Sequence, residues 1–271
     1  MSQFTNLFVV YDPTREEQPA LERAADIAVE NSAKLHIFTC IYSDIAKSAD
    51  KSTEVNRLLA EQQAILDRAA AALAHRGVEV STELEWGQDW AQAAVRASIK
   101  SAADMVLKSS YQQSAGKCIL SRTAHETLIR ECLCPVLLVK ESAPRDVTRV
   151  LAAIDICAKT ESYERLNQNV ISFSKEVLDS HCDEVHFINA FQDFRGVPDR
   201  QELIRDHGIE SDKIHIKLGN PEQVIVEKAK KLDVSLVVVG NSARSGLSAA
   251  FLGNTVEKML DKLECDVLAM P

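Results

Sequence analysis

Two acids and a pair of separated glycines carry most of the chemistry this sequence can offer. Leu236–Val239 is an apolar, mostly β-branched run ending at Gly240, and a loop of small residues leads from there to Gly253-Asn254-Thr255. A strand feeding a glycine turn and then a helix suits an anion: glycine lets backbone N–H groups come close to an oxyanion, and the helix N-terminus favours negative charge. A plain structural turn fits that loop equally well, since any α/β unit needs one there. Asp12 and Asp155 each close a short apolar strand, LFVVYD and VLAAID. A carboxylate so placed can accept a hydrogen bond from a ligand or cap the next helix. His36 and His186 hold the same place in two similar strands, which favours packing or hydrogen bonding over catalysis. His125, His181, His207 and His215 are scattered and read as exposed, as does Arg244, a loop arginine within reach of any bound phosphate.

Other chemistries lack their residues. There is no G-x-S-x-G elbow, no H-E-x-x-H and no Walker G-x-x-x-x-G-K, so no catalytic residues are expected and at most slow ATP hydrolysis. The seven cysteines are odd in number and scattered, which suits reduced thiols in a cytoplasmic protein. Cys132-Leu-Cys134 is too tightly spaced for a zinc knuckle and has no second pair, so no metal site is expected. A net charge of −9 argues against nucleic acid and against an anionic membrane surface. No apolar run approaches the roughly 20 residues of a membrane span, and the N-terminus lacks the pattern of a signal peptide.

The elements that must position the acids and glycines occur twice. In the first half, strands are expected at Leu7–Asp12, Lys34–Ile41, Val78–Glu85, Asp104–Leu107 and Cys134–Lys140. Helices are expected at Glu16–Glu30, Ser52–Arg76, Trp90–Lys100 and around Ala124–Glu131. The polar stretch Glu141–Val147 reads as a linker, giving domains at 1–142 and 146–271. In the second half Val150–Asp155 repeats the first strand, Glu184–Phe191 lies over Lys34–Ile41, and Cys265–Pro271 lies over Cys134–Lys140. Gly219-Asn220-Pro221 is set over Gly87-Gln88-Asp89, and equal counting from there sets Gly240 over Lys108. Alternating short strands and helices predict parallel, doubly wound sheets, whose ligands bind at the carboxyl ends of the strands. Asp12, Asp155 and Gly240 all fall on that edge. The long helix Ser52–Arg76 has only a short counterpart, about Pro198–His207.

On these residues the chain resembles the tandem universal stress proteins, in particular the E-type members of proteobacteria. Nucleotide-binding members of the family carry G-x-x-G, nine residues, then G-[ST]. Here Gly240-Asn241-Ser242-Ala243 is followed by the nine residues Arg244–Leu252 and then Gly253-Asn254. The resemblance implies two Rossmann-like α/β domains, each a five-stranded parallel sheet of order 3-2-1-4-5, in a cytoplasmic stress-response protein. It implies fifth strands that pair across a two-fold, here an intramolecular pseudo-dimer of domain 1 with domain 2, with a homodimer as a further association. It implies ATP or AMP, with Mg, as a ligand but not an obligatory cofactor. Asp155 would meet the adenine and the backbone of Ala190 would contact it. Gly240, Asn241, Ser242, Ala243, Gly253, Asn254 and Thr255 would hold the phosphates.

Two departures bear on that implication. Ala243 stands at the second glycine and resists positive φ by about 1 kcal/mol or more, and Asn254 replaces a hydroxyl residue. In the first half Lys108-Ser109-Ser110-Tyr111 and Ser121-Arg122-Thr123 replace the loop altogether, so domain 1 is not expected to bind nucleotide. The leading reading is a sensor or adaptor binding an adenine nucleotide in domain 2. The alternative is a nucleotide-independent scaffold, or a carrier of an apolar ligand or protein partner. An enzyme of the adenine-nucleotide α-hydrolase group ranks below both, because its catalytic loop is absent.

Overall fold

The computed structural model describes residues 4–46, 50–111, 118–140, 149–157, 160–180, 182–194, 197–241 and 259–271. The chain divides into two compact units, Ser2–Glu141 and Ser142–Pro271. The N-terminal unit runs β1 (Asn6–Val10), α1 (Pro19–Asn31), β2 (Lys34–Ile41), α2 (Lys51–Ala74), β3 (Val80–Trp86), α3 (Trp90–Lys100), β4 (Met105–Ser110), α4 (Cys118–Glu131) and β5 (Val136–Lys140). Its strands are parallel, in the order β3-β2-β1-β4-β5. The C-terminal unit runs β6 (Arg149–Ala153), α5 (Glu161–Ser180), β7 (Glu184–Phe191), α6 (Arg200–His207), β8 (Ile214–Leu218), α7 (Pro221–Leu232), β9 (Leu236–Gly240) and β10 (Asp266–Met270). Its order is β8-β7-β6-β9-β10, again parallel. Each unit is thus a 3-2-1-4-5 sheet among the described residues.

The unbroken apolar runs follow from this architecture, since a parallel strand covered by helices is buried on both faces. Leu7, Phe8 and Val9 are fully buried, as are Val237 and Val238 in the second unit. Phe8 stacks on Phe38 at 5.6 Å in the first core. The unequal helices also appear: α2 has 24 residues and α6 has 8. Near α6, Phe194, Val197 and Leu218 are 73%, 54% and 48% exposed.

Two local differences between the copies decide how the sites are built. The first lies in the helix after the leading strand. The helix expected from Glu16 starts at Pro19, a residue whose missing N–H suits a first helical turn. Its counterpart α5 has 20 residues against 13. Both helices leave into the next strand alike, through Ala33 N–H to Ala28 O and Cys182 N–H to Val177 O, so the additional turns of α5 lie at its N-terminal end.

The second difference corrects the equal count from Gly87 and Gly219. In the first unit the N-cap of α3 is Asp89, two residues beyond Gly87; in the second the N-cap of α7 is Asn220, immediately after Gly219. The turn is one residue shorter, and a left-handed residue at φ 51° then follows each helix, Ala102 just after the cap of α3 and Asp233 at the cap of α7. Strand register gives the consequence. Val10 pairs with Lys108, while its equivalent Ala153 pairs with Val239. Gly240 therefore corresponds to Ser109, and Lys108 corresponds to Val239.

Candidate functional site

In the C-terminal domain β6 pairs with β7 on one side and β9 on the other, and this change of winding direction opens a crevice at the strands' carboxyl ends. A cavity of about 60 Å³ lies there, lined by Asp155, Ala190 and Gly240 together with Tyr163, Leu166, Asn167 and others. Three residues singled out from sequence thus meet at one place. Asn241 follows directly, 3% exposed, with its N–H donating to Met270 O at 2.7 Å. Ser242, Ala243, Gly253, Asn254 and Thr255 lie outside the described residues, as do Arg244 and His181.

Asp155 does not cap a helix, contrary to one sequence expectation. Its Oδ1 accepts from Cys157 N–H at 3.1 Å in a tight local turn, and its Oδ2 makes no hydrogen bond with a described residue. Its backbone is held from the side: Asp155 N–H donates to Asn167 Oδ1 at 3.0 Å, and Asn167 Nδ2 donates to Asp155 O at 2.7 Å. One residue on, Ile156 N–H donates to the buried Asn189 Oδ1 at 2.9 Å. Gly240 is required by close approach. A Cβ built there would lie 2.6 Å from Leu166 Cγ and 2.7 Å from its Cδ2. Sequence reasoning assigned no site role to Tyr163, Leu166 or Asn167. No sequence signal marked the amide, since acid and amide are 12 residues apart here and 6 apart in the first domain.

The N-terminal domain builds the same frame and fills it. Asp12 also caps no helix: its Oδ1 accepts from Thr14 N–H and Oγ1 at 3.0 and 2.6 Å. Gln18 brackets its backbone, with Asp12 N–H to Oε1 at 3.1 Å and Nε2 to Asp12 O at 2.7 Å. Lys108, on the strand position of the cavity-lining Val239, puts its ammonium 3.6 Å from Asp12 Oδ2. That nitrogen also lies 5.6 Å from the Trp90 ring centre and 5.7 Å from that of Tyr111. Burial raises the Asp12 carboxyl, but Lys108 and the Thr14 hydrogen bonds more than offset it and hold it below its ordinary value. Burial keeps Lys108 below the usual lysine value, against the pull of Asp12. Ser109, at the place of Gly240, accepts from Ala20 N–H at 3.1 Å.

The histidines divide differently from the sequence expectation. His36 and His186 are structural: His36 bonds Ser81 Oγ at 2.8 Å, stacks on Phe8 and faces Glu83 at 3.3 Å. His186 Nδ1 lies 3.1 Å from His215 Nε2, and its Nε2 lies 3.4 Å from Glu184. Hydrogen bonds from Lys213, His186 and Arg149 hold Glu184 at about 2. His215 is half-buried rather than exposed, and burial with nearby Lys228 pushes it down to about 4. His125 is buried, not exposed; burial and the charges of Lys108 and Lys140 push it to about 3. Among the described residues no three potential ligands gather for a metal ion, and no described helix is long and apolar enough to cross a membrane.

The model of the universal stress protein family matches residues 3–140 and again 158–271, so the chain belongs to that family and carries two of its domains in tandem. Over its whole length it is similar to universal stress protein E of Escherichia coli K12, 26% identical over 299 residues, covering 100% of this chain and 95% of that one. The universal stress protein E homolog of Haemophilus influenzae is 25% identical over 301 residues, covering 99% and 97%. A solved structure of a functionally unknown protein from Pseudomonas aeruginosa PAO1 is 26% identical, with a TM-score of 0.74 over 98% of this chain and 92% of that one. A universal stress protein from Archaeoglobus fulgidus shares the fold at 18% identity, with a TM-score of 0.74 over 98% and 95%.

Proposed function

We propose that the C-terminal domain binds an adenine nucleotide, ATP or AMP, and that the chain serves the stress response as a cytoplasmic sensor or adaptor that binds rather than turns over its ligand. The observation that supports this reading is the cavity where Asp155, Ala190 and Gly240 converge with one carboxylate oxygen of Asp155 left without a described partner. An ionised carboxylate only accepts, which suits the exocyclic amino group of adenine. The base lies against Asp155 and the backbone of Ala190. The phosphates, with Mg where the ligand is ATP, run past Gly240 and Asn241 toward Ser242, Ala243, Gly253, Asn254 and Thr255. Ligand pockets span about 300–1,000 Å³, so a cavity of about 60 Å³ must widen before a nucleotide enters it. The N-terminal domain takes no nucleotide, because Lys108 already stands on Asp12.

Calorimetric titration with ATP and AMP tests this. Wild type is expected to bind below millimolar concentration and Asp155→Asn at least about tenfold more weakly, since its amide sets a donor against the adenine amino donor. Binding at millimolar or weaker in wild type, or an unaffected Asp155→Asn, overturns the reading. The exposed Phe194, Val197 and Leu218 beside the short α6 favour a second reading, a carrier or scaffold. Native mass spectrometry of freshly purified protein separates the two: a co-purified nucleotide supports the first, a lipid-like mass the second.

A further inference from the structure

The two domains share a device that neither the glycine loop nor the acid itself accounts for. Beyond the last strand pairing, the N–H and C=O of the acid's own peptide units have left the sheet and need partners. In both copies one side-chain amide supplies both. Asn167 takes Asp155 N–H at 3.0 Å and gives to Asp155 O at 2.7 Å; Gln18 takes Asp12 N–H at 3.1 Å and gives to Asp12 O at 2.7 Å. Measured back from the matching helix ends, where Ala33 bonds Ala28 and Cys182 bonds Val177, Gln18 and Asn167 hold the same position. Between acid and amide, however, the separations are 6 and 12 residues. One is an N-cap residue and the other lies inside a longer helix. The same pair of hydrogen bonds is therefore kept across a change in the length of the connecting segment.

We infer that Asn167 is the positioning residue of the nucleotide site: it fixes the backbone of Asp155 so that one carboxylate oxygen closes the turn onto Cys157 and the other stays available to the ligand. This rests on the proposed nucleotide reading for its functional half, but the positioning itself can be read without any ligand. Asn167 also lines the cavity, so the bracket lies where base and backbone meet. Gln18 does the same for Asp12 in a domain whose acid is already taken by Lys108.

The test uses the full chain and three variants, Asn167→Leu, Asn167→Gln and Gln18→Leu, with amide hydrogen exchange in the ligand-free protein and titration with AMP. In Asn167→Leu the Asp155 amide is expected to exchange about tenfold faster, while Ile156, held by Asn189, keeps its protection. AMP affinity is expected to fall about tenfold in the same variant. Asn167→Gln, which installs the amide used by the first domain, is expected to recover most of both. Gln18→Leu is expected to loosen the Asp12 amide and leave AMP affinity unchanged. Unchanged Asp155 exchange in Asn167→Leu overturns the inference whatever the titration shows. Faster exchange with unchanged AMP affinity also overturns it, since the amide is then only structural. Wild type that fails to bind AMP removes the nucleotide reading and with it the functional half, and the exchange data still decide whether Asn167 holds Asp155.

Discussion

Gly240→Ser is expected to destabilise the C-terminal domain by about 1–3 kcal/mol, although serine is the residue the N-terminal domain carries at the same register position. The cause is Leu166. A Cβ at residue 240 would stand 2.6, 2.7 and 3.0 Å from its Cγ, Cδ2 and Cδ1. The leucine cannot easily retreat, because it is 8% exposed and the next residue, Asn167, is bonded to Asp155. In the first domain α1 begins only at Pro19, so Glu17, at the place of Leu166, precedes the helix, and the Ser109 hydroxyl accepts from Ala20 N–H. Leu166→Ala alone is expected to cost about 2 kcal/mol, near the low end for leucine truncation because a cavity already adjoins it. The double variant Gly240→Ser/Leu166→Ala is expected to recover at least about 1 kcal/mol of the summed losses. Urea melts of the four proteins measure this coupling. Strict additivity would mean that Gly240 is glycine for some reason other than Leu166.

Acid is expected to weaken the N-terminal domain well before its carboxylates protonate, and His125 is the main cause. Its folded value, about 3, lies far below the unfolded 6.5 because the imidazole is buried against Lys108 and Lys140. A base depressed in the native state binds its proton first in the unfolded chain. Stability is therefore full above about pH 6.5, falls as pH drops through that value, and levels off only below about 3. At roughly 1.4 kcal/mol per tenfold of protonation, this one group removes roughly 3 kcal/mol between pH 7 and pH 4. Depression of His186 and His215 by burial acts in the same direction in the second domain. The lowered Asp12 adds its own loss only as pH falls below the unfolded carboxylate value. Stability by urea unfolding at pH 7.5, 6, 5 and 4 is expected to slope less steeply in His125→Gln than in wild type. Parallel profiles would refute a buried, neutral His125.

The strands were legible because a parallel strand covered on both faces is an uninterrupted apolar word, and the acids closing LFVVYD and VLAAID mark where such words end; their order came from the family resemblance. The meeting of Asp155 and Gly240 followed from placing each at a strand's carboxyl end, and the resemblance added Ala190. What could not be read depends on lengths that carry no compositional mark. The single residue missing between Gly219 and its N-cap throws off the count to the next strand, so counting matched Gly240 to Lys108 when register matches it to Ser109. Gln18 and Asn167 differ in residue type and in distance from their acids, so no sequence pattern links them. His125 looked exposed because a lone polar residue in a helical stretch usually is; here β4 and β5 bring Lys108 and Lys140 around it. Asp12 and Asp155 were open to a capping role that neither takes, since each spends one oxygen on a turn two residues ahead.

The ion pair between Asp12 and Lys108 makes the first half self-sufficient, because its acid finds a counter-charge within its own fold. On the reading proposed above, a ligand that binds only the folded second half raises that half's stability with the logarithm of its concentration. The proposed ligand would then find an open carboxylate in one half and a neutralised one in the other, so the first half serves as the internal reference against which ligand-dependent stabilisation of the second is read.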